Sequence, residues 1–478
     1  MGVKQGMNPF LPSWEYIPDG EPHVFGDRVY LYGSHDKFNG YEFCMLDYVC
    51  YSAPVTDLTD WRYEGVIYGR CDDPGNSGGD MCLYAPDVAK GTDGKYYLYY
   101  CLDHMQRVSV AVCDTPAGRY KFLGYVHDKD GGILGERKGD EPQFDPGVFM
   151  EDKKLYLYTG SCFEMLKDRH GAMVTVLGED MLTIIEEPRI IVPSKPYAEG
   201  SGYEGHEFFE ASSMRKIKDT YYFIYSSING HELCYATSKS PVEGFKYQGR
   251  IISNTDRGID TYKNPEQDMA YPDNNHGSIE YINGQYYIFY HRHTNATSYS
   301  RQACLEPLNI LEDGSIPQVM VTTSGPNGGP LQGKGFYSAH KACNIYLDLK
   351  ESISPQMPGT RKDPRLPYFT QDEPDGTECE GYIANLQAEA TAGFKYFECK
   401  GSYISSVKVR GFSVQGEMAV SLKPGGEIIG SIPLGISNEW KTYKGHIGIP
   451  DGVQSLYFSY KGFGAISFAG FEMEQETR

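Results

Sequence analysis

The feature of the sequence that most constrains its fold is a segment that occurs five times at nearly equal spacing. Each copy is a short aromatic-rich stretch typical of a β-strand, and the copies are centred on Tyr30, Tyr97, Tyr156, Tyr222 and Tyr287. The gaps between successive centres are 67, 59, 66 and 65 residues. A turn precedes each copy and another pair of strand-like stretches follows it, so one repeat holds about four strands. Such a unit cannot bury both faces of its sheet alone, and it therefore predicts sheets packed side by side.

These repeats predict an all-β protein that begins with a five-bladed β-propeller, because radial packing leaves few exposed sheet edges. The 55 Gly and 28 Pro agree with many tight turns. We expect the propeller to span residues 1–348, with the run GKGFYSAHKACNIYLDL supplying its last strands. A proline- and charge-rich stretch at residues 349–365 is interpreted as a linker or strap. Alternating strands in residues 366–478 predict a β-sandwich.

Charge and hydropathy exclude several classes of partner. The chain has 44 Lys and Arg against 64 Asp and Glu, a net charge of −20, which repels nucleic acid. No run of 18 apolar residues offers a membrane span. The first residues, MGVKQGMNPFLPSWEY, have no continuous apolar stretch, so we expect a cytoplasmic protein. The 12 cysteines show no C-x-x-C pair, and we expect most of them to be buried thiols.

A polar residue recurs at nearly the same offset in every repeat. It lies 10 to 12 residues before the repeat tyrosine, at Asp19, Asp87, Asp145, Glu210 and His276. Equivalent positions on innermost blade strands converge near the propeller axis, so we expect these side chains to meet at one end of the channel. Any one of them could be an ordinary turn residue, but clustered carboxyl groups raise each other's pKa, which is typical of functional sites.

Two of these carboxyl groups have different surroundings. Glu210 is flanked by Phe208, Phe209 and Ala211, which favour a protonated carboxyl, whereas Asp19 lies in a polar Pro-Asp-Gly turn. One protonated and one ionised carboxyl are the equipment of glycoside hydrolysis. Because the two residues lie on different blades, we expect space for a water between them and hence inversion of the anomeric configuration.

The repeat segments resemble glycoside hydrolase family 43 across about residues 8–348. The matching stretches include IPDGEPHVFGDRVYLYGSHD, YAPDVAKGTDGKYYLYY, FDPGVFMEDKKLYLYTG, FFEASSMRKIKDTYYFIYS and NNHGSIEYINGQYYIFYHRH. The resemblance implies that Asp19 is the general base, that Glu210 is the general acid, and that Asp87 tunes the pKa of Glu210 and orients it.

We expect Asp145, His276 and Arg301 to bind the substrate. The resemblance matches Arg301 to an arginine that contacts sugar hydroxyls, although a solvated salt bridge is the alternative. The resemblance also implies a largely water-coordinated calcium beside His276, and no organic cofactor is expected. Tyr84 stands where many relatives have Trp, so the wall of the sugar site is expected to differ there.

Three other acids compete for the catalytic roles. Asp19 is followed by Gly-Glu-Pro where many relatives have Asp-Pro, which leaves Glu21 as a rival base. Glu204 and Glu207 are rival acids, although they depart from the common offset.

The function implied is an inverting exo-glycosidase acting on α-L-arabinofuranosyl or β-D-xylosyl units of hemicellulose-derived oligosaccharides. The alternatives are a non-catalytic glycan-binding propeller, a related enzyme acting on another sugar such as arabinan or galactan, and a retaining fructosidase-type propeller. The C-terminal region, with the stretches GYIANLQAEATAGFKYFECKG and FGAISFAGFEME, resembles the β-sandwich of carbohydrate-binding module family 6. Its residues Tyr396, Phe397, Tyr457 and Phe458 alternate in strands and are interpreted as core residues rather than as a sugar platform.

Overall fold

The computed structural model describes residues 4–162, 167–347, 366–411 and 415–476. These ranges form 31 β-strands, which confirms the predicted all-β class. Their helical segments are five 3₁₀ turns at Arg70–Asp72, Pro74–Asn76, Lys195–Tyr197, Gly325–Asn327 and Ala339–Lys341. No helix in the described part of the chain is long and apolar enough to span a membrane.

Five separate sheets form the blades of the propeller, and the first four contain four antiparallel strands each. Blade 1 consists of β1 Glu21–Phe25, β2 Arg28–Tyr32, β3 Tyr48–Pro54 and β4 Arg62–Tyr68. Blade 2 consists of β5 Asp87–Lys90, β6 Tyr96–Tyr100, β7 Ser109–Cys113 and β8 Lys121–Tyr125. Blade 3 consists of β9 Gly147–Glu151, β10 Lys154–Thr159, β11 Gly171–Leu177 and β12 Ile184–Pro193. Blade 4 consists of β13 Phe208–Ile217, β14 Thr220–Ser227, β15 Glu232–Ser238 and β16 Lys246–Ser253.

The fifth blade has three strands, namely β17 Ile279–Ile282, β18 Gln285–His293 and β19 Arg301–Leu308. The repeat tyrosines all lie on the second strand of their blade, as the nearly equal spacing predicts. Between neighbouring blades the interior is apolar. For example, Val29 and Leu31 of blade 1 share a buried cluster with Phe289 and Leu305 of blade 5.

The N-terminal segment closes the ring against blade 5. The backbone N–H of Phe10 donates to the carbonyl of Ala303 at 3.3 Å. The Asn8 side chain accepts from the N–H of Leu305 at 2.9 Å and donates to the Leu305 carbonyl at 2.8 Å. These bonds occupy part of the outer edge of β19, where a fourth strand would otherwise pair.

The prediction that GKGFYSAHKACNIYLDL supplies the last propeller strands is wrong. The strands β20 Leu331–Gln332, β21 Gly335–Ser338 and β22 Asn344–Tyr346 pair instead with strands of the C-terminal domain. The reason is apolar packing: the Tyr337 ring lies 4.9 Å from that of Phe397 and 5.6 Å from that of Phe471 in the sandwich core. The sandwich therefore begins before the predicted boundary at residue 348. The predicted linker, residues 349–365, lies outside the described residues.

The C-terminal domain is a sandwich of two sheets, as predicted. Its remaining strands are β23 Tyr368–Thr370, β24 Tyr382–Gln387, β25 Thr391–Cys399, β26 Ser402–Gly411, β27 Gln415–Ser421, β28 Ile428–Leu434, β29 Ser437–Gly448, β30 Gly452–Phe463 and β31 Ala465–Gln475. One sheet has the order β20-β25-β30-β27-β28 and the other β23-β24-β31-β26-β29. Phe397 and Phe458 are buried between them, Tyr457 is buried in a small cluster with Met269 and Tyr346, and Tyr396 is half-buried, so the first three are core residues as expected.

Candidate active site

A cavity of about 590 Å³ opens where the innermost strands of the propeller begin. This volume is within the range of small-molecule sites. Of the five residues predicted to meet there, four line the cavity, namely Asp19, Asp145, Glu210 and His276. Arg301 lines it as well. The common offset in the repeats therefore predicts most of the site.

Asp19 lies on the turn before β1 and is buried. Its φ of 57° is in the left-handed region, which Asp tolerates better than most residues. Arg301 Nη1 donates to Asp19 Oδ1 at 2.9 Å, and the backbone N–H of Asp19 donates to His291 Nδ1 at 3.3 Å. Burial would raise the pKa of Asp19, but the interactions of its carboxylate, above all with the charge of Arg301, together outweigh burial and lower the pKa. This carboxyl is therefore ionised at neutral pH.

Arg301 is held by a second carboxylate, that of Asp36. Its Nε and Nη2 donate to the two oxygens of Asp36, both at 2.9 Å. The side chains of both residues are buried, so the alternative of a solvated salt bridge is wrong. Sequence reasoning missed Asp36; the available signal is its position in the GSHD stretch directly after the first repeat strand.

Glu210 lies near the start of β13, in a part of the strand with irregular pairing. The register of β13 against β14 shifts on both sides of Glu210, a feature that is common beside active sites because it redirects a side chain. Burial and the negative charge of Asp19 raise the pKa of Glu210 to about 8. At neutral pH this carboxyl is protonated, as expected of a general acid.

Asp145 is the carboxyl that lies beside the Glu210 segment. The backbone N–H of Ala211 donates to Asp145 Oδ2 at 3.1 Å, and His276 Nδ1 is 3.6 Å from the same oxygen. Gly147 permits this approach of β9 to β13, since a Cβ there would lie 2.1 Å from the Ser212 carbonyl oxygen. Burial and the charge of Glu210 raise the pKa of Asp145 well above its ordinary value.

Asp87, in contrast, does not line the cavity. It is fully buried and accepts from the N–H groups of Val88 and Val148, both at 2.7 Å. Its Oδ1 also lies 2.6 Å from His23 Nε2. The prediction that Asp87 tunes and orients Glu210 therefore needs correction: its carboxylate is engaged by other groups, and Asp145 occupies the neighbouring position.

The three rival acids also lie outside the cavity lining. Glu21 is buried and its Oε2 accepts from Arg215 Nη2 at 3.1 Å. The Glu204 carboxylate is exposed and accepts from the N–H of Gly200 at 2.6 Å. Glu207 is buried beside the start of β13. Asp19 and Glu210 are thus better placed for catalysis than their rivals.

The walls of the cavity bring in further residues that the sequence reasoning did not single out for catalysis. Phe43 packs over Arg301, with the guanidinium carbon 4.8 Å from the ring centre. Asp273 also lines the cavity and contributes to the raised pKa of Glu210. Tyr84, the predicted site of variation, lies in the wall beside Phe144 at a ring distance of 5.3 Å.

The donor set around His276 determines how well a calcium ion fits. Calcium takes six to eight oxygen ligands. His276 Nδ1 lies 3.6 Å from Asp145 and 4.0 Å from Asp19, and Asp19 is already bound by Arg301. Within the described ranges, the groups of three close ligand side chains are Glu21–His23–Asp87 and His206–Glu232–Cys234. Since neither includes His276, the protein could hold a calcium there only with water as the main ligand, which is the predicted arrangement.

The profile described as "Glycosyl hydrolases family 43" matches residues 8–316. The chain belongs to glycoside hydrolase family 43. It is similar to a protein of Thermoclostridium stercorarium named "Xylosidase/arabinosidase", with 59% identity over 470 residues that cover 98% of this chain and 99% of that protein. The chain is therefore a glycoside hydrolase.

Solved structures agree with this fold. One is a family 43 β-xylosidase/α-arabinofuranosidase from a compost microbial metagenome, in complex with xylotriose and in a calcium-free form; it is 27% identical, with a TM-score of 0.52, and the match covers 67% of this chain and 98% of that one. An arabinoxylan arabinofuranohydrolase from Bacillus subtilis is 20% identical, with a TM-score of 0.54 and 98% of both chains covered. The second similarity extends over the propeller and the sandwich.

Proposed function

We propose that this family 43 enzyme is an inverting exo-glycosidase that removes β-D-xylosyl or α-L-arabinofuranosyl units from hemicellulose-derived oligosaccharides. The observation that carries the proposal is the contrast between two carboxyl groups of one cavity: Asp19 is ionised and Glu210 is protonated at neutral pH. The names and ligands of the similar proteins support the choice of sugars.

In the proposed reaction, the Asp19 carboxylate accepts a proton from a water molecule as the water oxygen attacks the anomeric carbon. Glu210 donates its proton to the glycosidic oxygen, so the bond from the anomeric carbon to that oxygen breaks and the free alcohol leaves. The product sugar carries the new hydroxyl with inverted configuration. Loss of the proton from Asp19 to solvent and reprotonation of Glu210 restore the starting state.

The other cavity residues assist these two carboxyls. Arg301 neutralises Asp19, fixes its position and presents a guanidinium to sugar hydroxyls. Asp145 holds the backbone beside Glu210 and competes with it for a proton. Burial lowers the pKa of His276, so its imidazole is neutral and can exchange hydrogen bonds with a sugar or with water.

A calcium at His276 forms a separate part of the proposal. His276 and surrounding waters would hold it, and its charge would favour the ionised forms of Asp19 and Asp145. We further propose that the enzyme works in the cytoplasm on short oligosaccharides, although this location stays a prediction.

The test is hydrolysis of aryl β-D-xyloside and aryl α-L-arabinofuranoside by the wild type and by Glu210→Gln, with Glu204→Gln as the matched control. Glu204 is a nearby glutamate that is exposed and lies outside the cavity. We expect turnover of one or both substrates by the wild type and the control, and a large loss in Glu210→Gln.

Proton NMR of the first-formed sugar tests the stereochemical part. The inverted anomer is expected from either substrate, whereas the retained anomer would contradict the proposed roles of Asp19 and Glu210. If neither aryl glycoside is hydrolysed while xylo-oligosaccharides bind, the binding-propeller alternative gains support.

A further inference from the structure

Two propeller loops form the wall of the cavity around Arg301. The blade-1 loop, residues 36–46, connects β2 to β3, and the blade-5 loop, residues 294–300, connects β18 to β19. Phe43 of the first loop lines the cavity. Its ring meets that of Tyr299, from the second loop, edge-on at 4.6 Å. The position of Phe43 over Arg301 therefore depends on where both loops are held.

Both loops are hydrogen-bonded to one segment of the sandwich, residues 369–375. Asp375 Oδ1 accepts from the backbone N–H of Phe38 at 2.7 Å. The backbone N–H of Asn295 donates to the carbonyl of Phe369 at 2.7 Å. The Asn295 side chain in turn donates to Asn39 Oδ1 at 2.6 Å, which links the two loops to each other.

A second contact supports the base of the blade-1 loop. Tyr16 OH donates to Gln371 Oε1 at 2.7 Å, and the Tyr16 ring stacks on that of Phe38 at 5.5 Å. The carbonyl of Tyr16 also accepts from the N–H of Asp36 at 2.9 Å, and Asp36 is the residue that clamps Arg301. The sandwich segment is thus joined to the Arg301 site through Tyr16 and Asp36.

The hydrogen bond from the Phe38 N–H to Asp375 is important because Phe38 is only 5% exposed. A buried backbone N–H needs an acceptor, and an acceptor lost without replacement costs free energy. In this loop the acceptor comes from the other domain, not from the propeller. Without it, the N–H of Phe38 would have to reach water, and the loop that carries Phe43 would have to move.

We propose that Asp375 is a positioning residue for the sugar site, and that the segment around it makes the C-terminal sandwich a structural part of the catalytic cavity. This inference rests on the proposed function only for its kinetic test, since loop position can be measured separately. The proposed effect acts through the position of the loops, so it is expected even with small substrates that do not bind to the sandwich.

The test compares Asp375→Ala with Asp375→Asn in the full-length chain, and uses Asp372→Ala as the matched control. Asp372 lies three positions earlier but pairs within the sandwich, with Arg410 Nη2 at 2.7 Å and Tyr382 OH at 2.8 Å. For aryl β-D-xyloside and aryl α-L-arabinofuranoside, we expect Asp375→Ala to raise KM about five- to tenfold while kcat changes less than about twofold. Asp375→Asn keeps an acceptor oxygen and should restore KM to within about twofold of the wild type.

Hydrogen–deuterium exchange of the same proteins reads the loop without catalysis. Peptides that cover residues 37–46 should exchange faster in Asp375→Ala than in the wild type or Asp372→Ala. If the wild type hydrolyses neither aryl glycoside, the proposed function fails while the exchange result still decides the positioning role. The inference is overturned if Asp375→Ala matches Asp372→Ala in exchange, or if it lowers only the melting temperature and leaves KM unchanged.

Discussion

The backbone N–H of Ala211, the residue after Glu210, donates a 3.1 Å hydrogen bond to Oδ2 of Asp145. This bond joins the innermost strands of blades 3 and 4 at the point where the buried carboxyl of Asp145 and the half-buried carboxyl of Glu210 compete for protons. Asp87, which the family resemblance suggested for this role, is bound to His23 and to two backbone N–H groups instead. The two aspartates can be distinguished by their effects on pH dependence and stability.

We expect Asp145→Asn to shift the basic limb of the pH–rate profile by roughly one unit to lower pH. Besides burial, the charge of an ionised Glu210 raises the pKa of Asp145, and the same repulsion acts in return on Glu210 when Asp145 is ionised, so the two carboxyls share a proton; Asn cannot ionise and removes this contribution. Asp87→Asn should leave this limb in place but lower the free energy of unfolding by about 1–3 kcal/mol, because an amide nitrogen replaces a buried acceptor oxygen. Profiles of kcat/KM and urea unfolding of both variants provide the comparison. A basic limb that shifts in Asp87→Asn but not in Asp145→Asn would instead support Asp87 as the residue that tunes the pKa of Glu210.

The sequence predicts the five blades and most of the site because the repeats mark equivalent positions. Asp19, Asp145, Glu210 and His276 come from one offset and lie in one cavity. The same offset cannot distinguish Asp87 from Asp145, since their difference arises from hydrogen bonds between blades. Asp36 lies outside the offset and becomes visible only through its pairing with Arg301. The sequence predicts the strands β21 and β22 but places them in the propeller, because an alternating apolar pattern does not specify which sheet it joins.

The wild-type pH profile should be bell-shaped. Activity requires Glu210 to be protonated, so it is expected to fall as the pH rises through about 8, the raised pKa of that carboxyl. Activity also requires Asp19 to be ionised. Burial opposes this, but Arg301 lowers the pKa of Asp19, so the acid limb should lie below the ordinary range of an aspartate. Initial rates between pH 3 and 10 on a stable aryl glycoside measure both limbs, with enzyme recovery checked at neutral pH. A basic limb near pH 5 would contradict the role of Glu210.

Asp36→Asn should weaken both folding and substrate binding. Asp36 accepts from Arg301 Nε and Nη2 and also from the backbone N–H of Cys44 at 3.0 Å. Removal of its charge leaves a buried guanidinium only partly compensated, which we expect to cost about 3–5 kcal/mol of unfolding free energy. Asp47→Asn is the matched control, since it lies at the end of the same connection and its side chain is 46% exposed. Urea unfolding and KM of the two variants test this, and equal stability would contradict the clamp.

Calcium binding at His276 should appear as a rise in melting temperature. An ion that binds only the folded state stabilises it by about 2.7 kcal/mol when its concentration is a hundred times Kd. For a protein of this size we expect an increase of a few degrees in millimolar calcium, reversed by a chelator and absent with magnesium. His276→Gln should lose most of this increase. His104→Gln, a change at an exposed histidine on the rim of the same cavity, should keep it. Differential scanning fluorimetry after exhaustive chelation measures the melting temperature of the three proteins with and without added calcium. An equal response of both variants would place any bound calcium elsewhere, and no response in the wild type would remove calcium from the proposal while leaving the roles of Asp19 and Glu210 intact.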